Sequence, residues 1–319
     1  RKSDALLILW DPTWTERLWC LFELAAFLQS QKTQEKVLMI RPIFLGPVTM
    51  VLFLAHFAAM LPGVLVPHGS RGTVYTPLAA AHLFGLAVAY PCVSTLRKYF
   101  RNLDAMRQQL LSISFDTACC SCCDQDHVGP SGEAIPCDRK ILKECVKIWF
   151  GSEQAFEDII RSEVSEILNR DLSEQVFSTP WILGVAAPIM WLFMDLSSSF
   201  ASMSEWPLWW EHPAPALLLE GLVFWLLAIP SAKEIHLCVC RIMRARPQSL
   251  YLEVLKNSVT MLLIFVPYAL ILTCFFLTQV IMHPRIHRAA AFVGCMLLLS
   301  PCNFLFAVGL KALLKQPGW

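Results

Sequence analysis

"SVTMLLIFVPYALILTCFFLTQVIM", residues 258–282, contains no charged side chain. As an α-helix it is about 37 Å long, enough for the ~30 Å hydrocarbon core of a bilayer. One such run also fits a buried core helix. Five more tip the balance: "PIFLGPVTMVLFLAHFAAMLPGVLV" (42–66), "TPLAAAHLFGLAVAYPCVSTL" (76–96), "TPWILGVAAPIMWLFMDL" (179–196), "APALLLEGLVFWLLAIPSA" (214–232) and "AAAFVGCMLLLSPCNFLFAVGL" (289–310). The fold class expected is an α-helical multi-pass membrane protein with about six spans, for which the lipid bilayer is the first partner.

Composition agrees. Hydrophobic residues make up 56% of the 319 and charged residues 16%, against about a quarter charged in soluble domains. A net charge of +1 gives no sign of a chain built to bind nucleic acid. Because the chain opens at Arg1 on what reads as mid-domain sequence, it is expected to be N-terminally incomplete.

The cations set the expected topology. Residues 1–41, 97–178, 233–257 and 311–319 carry six, ten, five and two of the 26 Lys and Arg; the others are Arg71, Arg285 and Arg288. By the positive-inside rule both termini, the long middle loop and 233–257 are cytosolic. The outer loop "SEWPLWWEHP" (204–213) has three Trp and no Lys or Arg, as an interfacial aromatic belt has. The expected division is a cytosolic segment 1–41, a transmembrane hairpin 42–96, a Cys-rich helical cytosolic loop 97–178 and a four-span region 179–319.

Segment 1–41 reads as strand, helix, strand. "DALLILW" (4–10) and "KVLMIRPIFLG" (36–46) are short apolar runs, and Thr13 or Thr15 is a candidate N-cap for the helix between them. Such a unit is a crossover between parallel strands. On the helix Leu18, Leu21, Phe22, Ala25 and Leu28 form one stripe at 100° per residue. Glu23 lies nearly opposite, flanked by Trp19, Cys20 and Phe27, so it is expected either to pair with a buried partner or to face a cleft.

Trp19-Cys20-x-x-Glu23-Leu24, followed by Met39-Ile40-Arg41-Pro42-Ile43-Phe44, resembles the Trp-Cys-x-x-Glu-Leu motif and following strand of Toll/interleukin-1 receptor (TIR) domains. The resemblance covers about 45 residues and implies part of an α/β fold. In TIR domains that cleave NAD the motif Glu is the catalytic carboxylate; on this chain that role falls on Glu23.

The middle loop "FDTACCSCCDQDHVGPSGEAIPCDRKILKECVKIWFG" (115–151) holds six of the thirteen Cys: Cys119, Cys120, Cys122, Cys123, Cys137 and Cys145. In a reducing cytosol disulfides are disfavoured. Cys119-x-x-Cys122-x4-His127 has the spacing that begins a zinc knuckle, with Cys137 as a candidate fourth ligand. Palmitoylation of the paired Cys and reduced structural thiols are the other readings. Asp138 is expected to N-cap a helix that ends at Phe150 before Gly151. A second helix, 153–172, carries Phe156, Ile160, Val164, Ile167 and Leu168 on one face, for packing or for a cytosolic protein partner.

This loop and the Arg17-Leu18-Trp19-Cys20 helix together resemble a family of uncharacterised multi-pass membrane proteins of unicellular algae. The shared pattern falls at His127, Gly132, Ile135-Pro136-Cys137-Asp138-Arg139 and Trp149-Phe150-Gly151. The resemblance spans nearly the whole chain and carries no activity with it.

Within the apolar runs, His56, His82, Asp195 and Glu220 are ionisable. Such groups are costly in a bilayer and mark ion or proton pathways when they are not wetted at the headgroups. Three functions follow: a membrane-anchored signalling or scaffold protein working through its cytosolic face, an ion- or proton-coupled transporter or channel using Asp195 and Glu220, and an NAD-cleaving enzyme using Glu23.

Overall fold

The structure is a computed structural model that describes residues 4–31, 37–59, 75–170, 177–201, 213–281 and 285–313. They divide into two units, one of residues 1–45 with 102–177, the other of 46–101 with 178–319. The N-terminal segment and the middle loop, separated along the chain by residues 46–101, therefore build one body.

In that first unit, β1 (Ala5–Trp10) and β2 (Val37–Pro42) pair in parallel from Ala5 opposite Val37 to Trp10 opposite Pro42. The helix Leu18–Gln31 makes the crossover. Alternation puts Ile8 and Trp10, with Leu38 and Ile40, into the core and leaves Leu7 and Leu9 exposed. On the helix Leu18, Leu21, Leu24 and Ala25 are fully buried and Leu28 nearly so. Phe22, expected in that stripe, is half-buried and stacks on Trp149 at 5.3 Å. The turn before the helix is held by Asp11, not by a threonine cap. Asp11 Oδ1 accepts from both the backbone N–H and the hydroxyl of Thr13, each at 2.7 Å, and Thr13 caps nothing with its side chain.

The middle-loop helices close the same core. Asp138–Phe150 buries Leu142 and Val146 and stops at Gly151, whose φ of 87° suits a residue without Cβ. Its N-cap is Cys137, one residue before the expected Asp138. Phe156, Ile160, Val164 and Leu168 are buried, whereas Ile167 is only partly so. A spacing of four exceeds the 3.6 residues of an α-turn, so this row would drift around a regular helix. The π-turn over Ile160–Val164 takes up the excess.

The described residues of the second unit are helices joined by short connections such as 243–249. Three helices are long and apolar enough to cross a membrane: Ala214–Ile242, Leu250–Ile271 and Ala289–Gly309. They turn apolar side chains such as Leu262, Leu298 and Leu305 outward, as a lipid solvent requires. Phe193, Phe224, Ala228, Ile271, Phe292 and Met296 pack inside. The other three expected spans are not seen as such. Helix Leu45–Ala59 is shorter than a span over its described length, and the run 42–66 extends beyond the described residues. The run 76–96 forms part of the long helix Tyr75–Leu111, which also carries the charges at 97–107. The run 179–196 is broken at Ala186 into Thr179–Val185 and Ala187–Ala201. Pro188, which cannot donate to the carbonyl four residues back, sits just after the break.

Arg97 is wholly buried in this unit. Its Nε donates to Met243 O at 2.7 Å, and Nη2 donates to Ala245 O and Glu253 Oε2, both at 3.2 Å. Nη1 donates to Glu253 Oε1 at 3.2 Å and to Asn257 Oδ1. Arg101 adds bonds to Arg244 O and to Glu253 Oε1. One helix thereby clamps the connection between two others.

Candidate metal centre

The Cys-rich segment begins where Cys119 is tied to the N-terminal segment. Its N–H donates to Glu16 O, and its carbonyl accepts from the Leu18 N–H at 3.1 Å. These bonds leave the Cys119 side chain exposed. Cys120 then N-caps a single helical turn, Ser121–Asp124. The chain leaves that turn through Asp126 and His127, two successive non-glycine residues at φ 52° and 59°. Left-handed backbone costs an L-residue roughly 1–2 kcal/mol. Here it folds the strand back, with the His127 N–H on Cys122 O at 2.8 Å and the Ile135 N–H on His127 O at 2.9 Å. Residues 134–137 run on from there and deliver Cys137 to the start of the next helix.

The result gathers Cys122, Cys123, His127 and Cys137, with one possible ligand atom of each within 4.8 Å of all the others. Cys123 Sγ and Cys137 Sγ are 3.8 Å apart. Nε2 of His127 is buried and has no hydrogen-bond partner among the described residues. The cluster can hold a metal ion. Three of the four ligands expected from the sequence are in it; Cys119 is not, and Cys123 stands in its place. A second group, Cys120, Cys122 and Asp138, meets the same distance limit.

Local electrostatics favour thiolates unevenly. Cys137 is held below its usual range by the Lys140 N–H and by the neighbouring His127 imidazole. Burial works against the Cys120 thiolate, but hydrogen bonds from the Cys122 thiol and the Cys123 N–H outweigh it and bring Cys120 down. Arg139 favours the Cys123 thiolate, yet burial and the surrounding sulfurs push that thiol up to about 11. So many adjacent thiols cannot all ionise without a cation among them. The Arg139 guanidinium is fixed beside them by the carbonyls of Phe115, Asp116 and Ala118, at 2.6–2.8 Å.

The remaining candidates are scattered. Glu23 is exposed on the crossover helix, and no hydrogen bond or ion pair of its side chain is seen among the described residues. Asp195 is exposed, whereas Glu220 is only 2% exposed; the two carboxylates expected to share a pathway lie in different environments. His56 Nδ1–H donates to Leu52 O at 2.7 Å, and the His82 side chain falls outside the described residues. Sequence reasoning missed Cys120, Cys123 and Asp138. The one signal for them was the doubling of each Cys in Cys119-Cys120-Ser121-Cys122-Cys123, which leaves the register of a Cys-x-x-Cys pair open. Comparison with protein-family models, with curated proteins and with solved structures finds no match for this chain.

Proposed function

We propose that the chain is a six-span membrane protein whose first unit lies in the cytosol, is organised by a zinc ion, and serves as a membrane-anchored signalling or scaffold platform. One observation carries this reading: two segments on either side of residues 46–101 fold together, and the second of them gathers three thiols and an imidazole. Zinc fits the donor set. A tetrahedral ion with Zn–S of 2.3 Å needs sulfurs about 3.8 Å apart, which is the Cys123–Cys137 separation. The His127 imidazole supplies the fourth donor such a site needs. The helix Leu18–Gln31 leans on this segment through the Trp19 N–H to Asp138 Oδ2 at 3.3 Å and the Phe22–Trp149 stack. Exposed Ile141 and Ile148 beside them supply apolar area for a partner.

Acceptor scanning tests the membrane part. The natural sequence has no Asn-x-Ser/Thr site, so each engineered one reports alone. Acceptors inserted at 67–73, 204–210 and 283–288 should be glycosylated in microsomes, and those at 115–135 should not; glycosylation at 115–135 would overturn the topology. For the platform role, cross-linking in intact cells should recover partners with the natural chain that Cys137→Ser loses. An unchanged partner set would remove that role.

A second reading rests on Glu220, an acidic group buried within an apolar helix. Such groups line ion or proton paths. Flux through liposomes that survives Glu220→Gln would exclude it. The exposed Glu23 on a parallel crossover unit keeps the NAD-cleaving reading in play, and NAD consumption abolished by Glu23→Ala is its test.

A further inference from the structure

We propose that the Cys-rich turn holds two metal ions rather than one, the second ligated by Cys120 and Asp138 and bridged to the first by the thiolate of Cys122. This rests on the zinc reading above and extends it.

The two ligand groups share one atom. Cys122 Sγ belongs to the set with Cys123, His127 and Cys137, and equally to the set with Cys120 and Asp138. Cys120 Sγ lies 3.2 Å from it, and the Asp138 N–H donates to it at 3.2 Å. Cys122 is buried between the two sets. A thiolate has several lone pairs and bridges two soft divalent ions when ligands are supplied on both sides. Binding of both Cys120 and Cys122 to one ion requires their sulfurs to separate by roughly half an ångström, towards the tetrahedral edge of about 3.8 Å. That is a side-chain adjustment within a short turn.

The second set is also supported from outside. Trp19 Nε1 bonds Asp138 Oδ2, in the way outer-shell donors orient a ligating carboxylate. Asp138 is half-buried, so water reaches the fourth position of the second ion. Charge closes as well. One ion among three thiolates leaves one negative charge and strands Cys120 and Asp138 beside it. Two divalent ions among four thiolates and one carboxylate leave the same single charge, and the Arg139 guanidinium stands against it.

The test uses the full chain in detergent, reduced and loaded with zinc. Native mass spectrometry counts the ions, and cadmium NMR after exchange detects the shared sulfur. Two ions per chain are expected, falling to one with Cys120→Ser and with Asp138→Asn, and two coupled cadmium resonances. One ion in the natural chain, unchanged in Cys120→Ser, would overturn the second site and leave the zinc reading standing. Two ions insensitive to both substitutions would overturn it too, since the extra ion then sits elsewhere. No ion at all would overturn both.

Discussion

Around Arg97 five N–H donors meet five acceptors; around Cys122 thiols face thiols and a buried imidazole nitrogen faces no partner. The first centre is built on a wholly buried guanidinium; in the second Cys122 is buried and Cys123, His127 and Cys137 are partly so. Buried polar groups are normally satisfied, and the Arg97 cluster is: its forked guanidinium matches the Glu253 carboxylate and three other oxygens. It is complete without any further component, so it reads as architecture. The Cys122 cluster collects groups that repel when ionised, and Nε2 of its His127 has no hydrogen-bond partner among the described residues. Two left-handed residues, Asp126 and His127, assemble the set, and on the zinc reading proposed above the bound ion is what offsets their cost.

The largest expected effect follows from removing that component. Structural zinc in finger-like sites contributes about 10–16 kcal/mol of apparent binding energy at neutral pH. Treatment with a strong chelator should therefore abolish hydrogen-exchange protection over residues 115–150 while Leu250–Ile271 keeps its own. Protection unchanged after the metal is shown to be gone would make the cluster a set of structural thiols.

Arg97→Ala is the matching break on the other side. It takes from Glu253, whose side chain is only 15% exposed, its buried partner, and it uncaps the Met243 carbonyl, while Ala245 O keeps the Lys256 ammonium at 2.8 Å. Breaking a buried pair from one side costs about 3–5 kcal/mol. Thermal unfolding in detergent should shift down markedly, and Arg97→Lys should recover only a minor part because an ammonium lacks the planar fork. Full rescue by lysine would mean that charge alone, not the five-bond geometry, holds the clamp. Chelator should not move the unfolding of this unit.

These two centres also show what a sequence can and cannot say. The membrane helices and the strand–helix–strand unit are local patterns of apolar residues, and local patterns survive without coordinates: Leu18, Leu21, Ala25 and Leu28 were placed on one stripe by angle alone. The ligand set was legible as a composition but not in register. Cys119 fails as a ligand because its backbone is tied to Glu16 and Leu18, a contact across a hundred residues that no spacing rule contains. Arg97 was legible only as a cytosolic charge that sets topology; its role depends on carbonyls in a turn nearly 150 residues further on. The break at Ala186 was foreshadowed by Pro188, though a proline within an apolar run signals either a break or a kink.

A smaller effect is expected at the turn itself. Asp126 is exposed, so replacing it changes little besides backbone preference. Asp126→Val places a β-branched residue at φ 52°, where such residues are outliers. Zinc affinity should fall by about tenfold, which is ~1.4 kcal/mol, whereas Asp126→Gly should hold it near the natural value. Equal affinities for all three would show that the left-handed turn is not what assembles the ligands.

Smallest of all is the ion pair of Asp116 and Lys143, at the edge of the same segment. The hydrogen bond and charge of Lys143 hold the Asp116 carboxyl below 3.8. Burial works against the charge of Lys143, but Asp116 and Glu153 outweigh it and hold the ammonium above 10.5. A carboxyl lowered on folding stabilises above its unfolded value and loses that as pH falls through the folded one; an ammonium raised on folding loses its share only as pH rises through its own. The pair is therefore constant across neutral pH. Because Asp116 is fully exposed, Asp116→Asn should lower the unfolding midpoint of this unit slightly, by the same amount between about pH 6 and 9, and the gap should vanish in molar salt. On the zinc reading the neighbouring thiols would behave oppositely: a metal ion there competes with protons, so its hold should weaken steadily on acidification. A gap that widens or closes across that window would mean that Asp116 is coupled to the metal centre and that the boundary between surface pair and site has been drawn one residue too tightly.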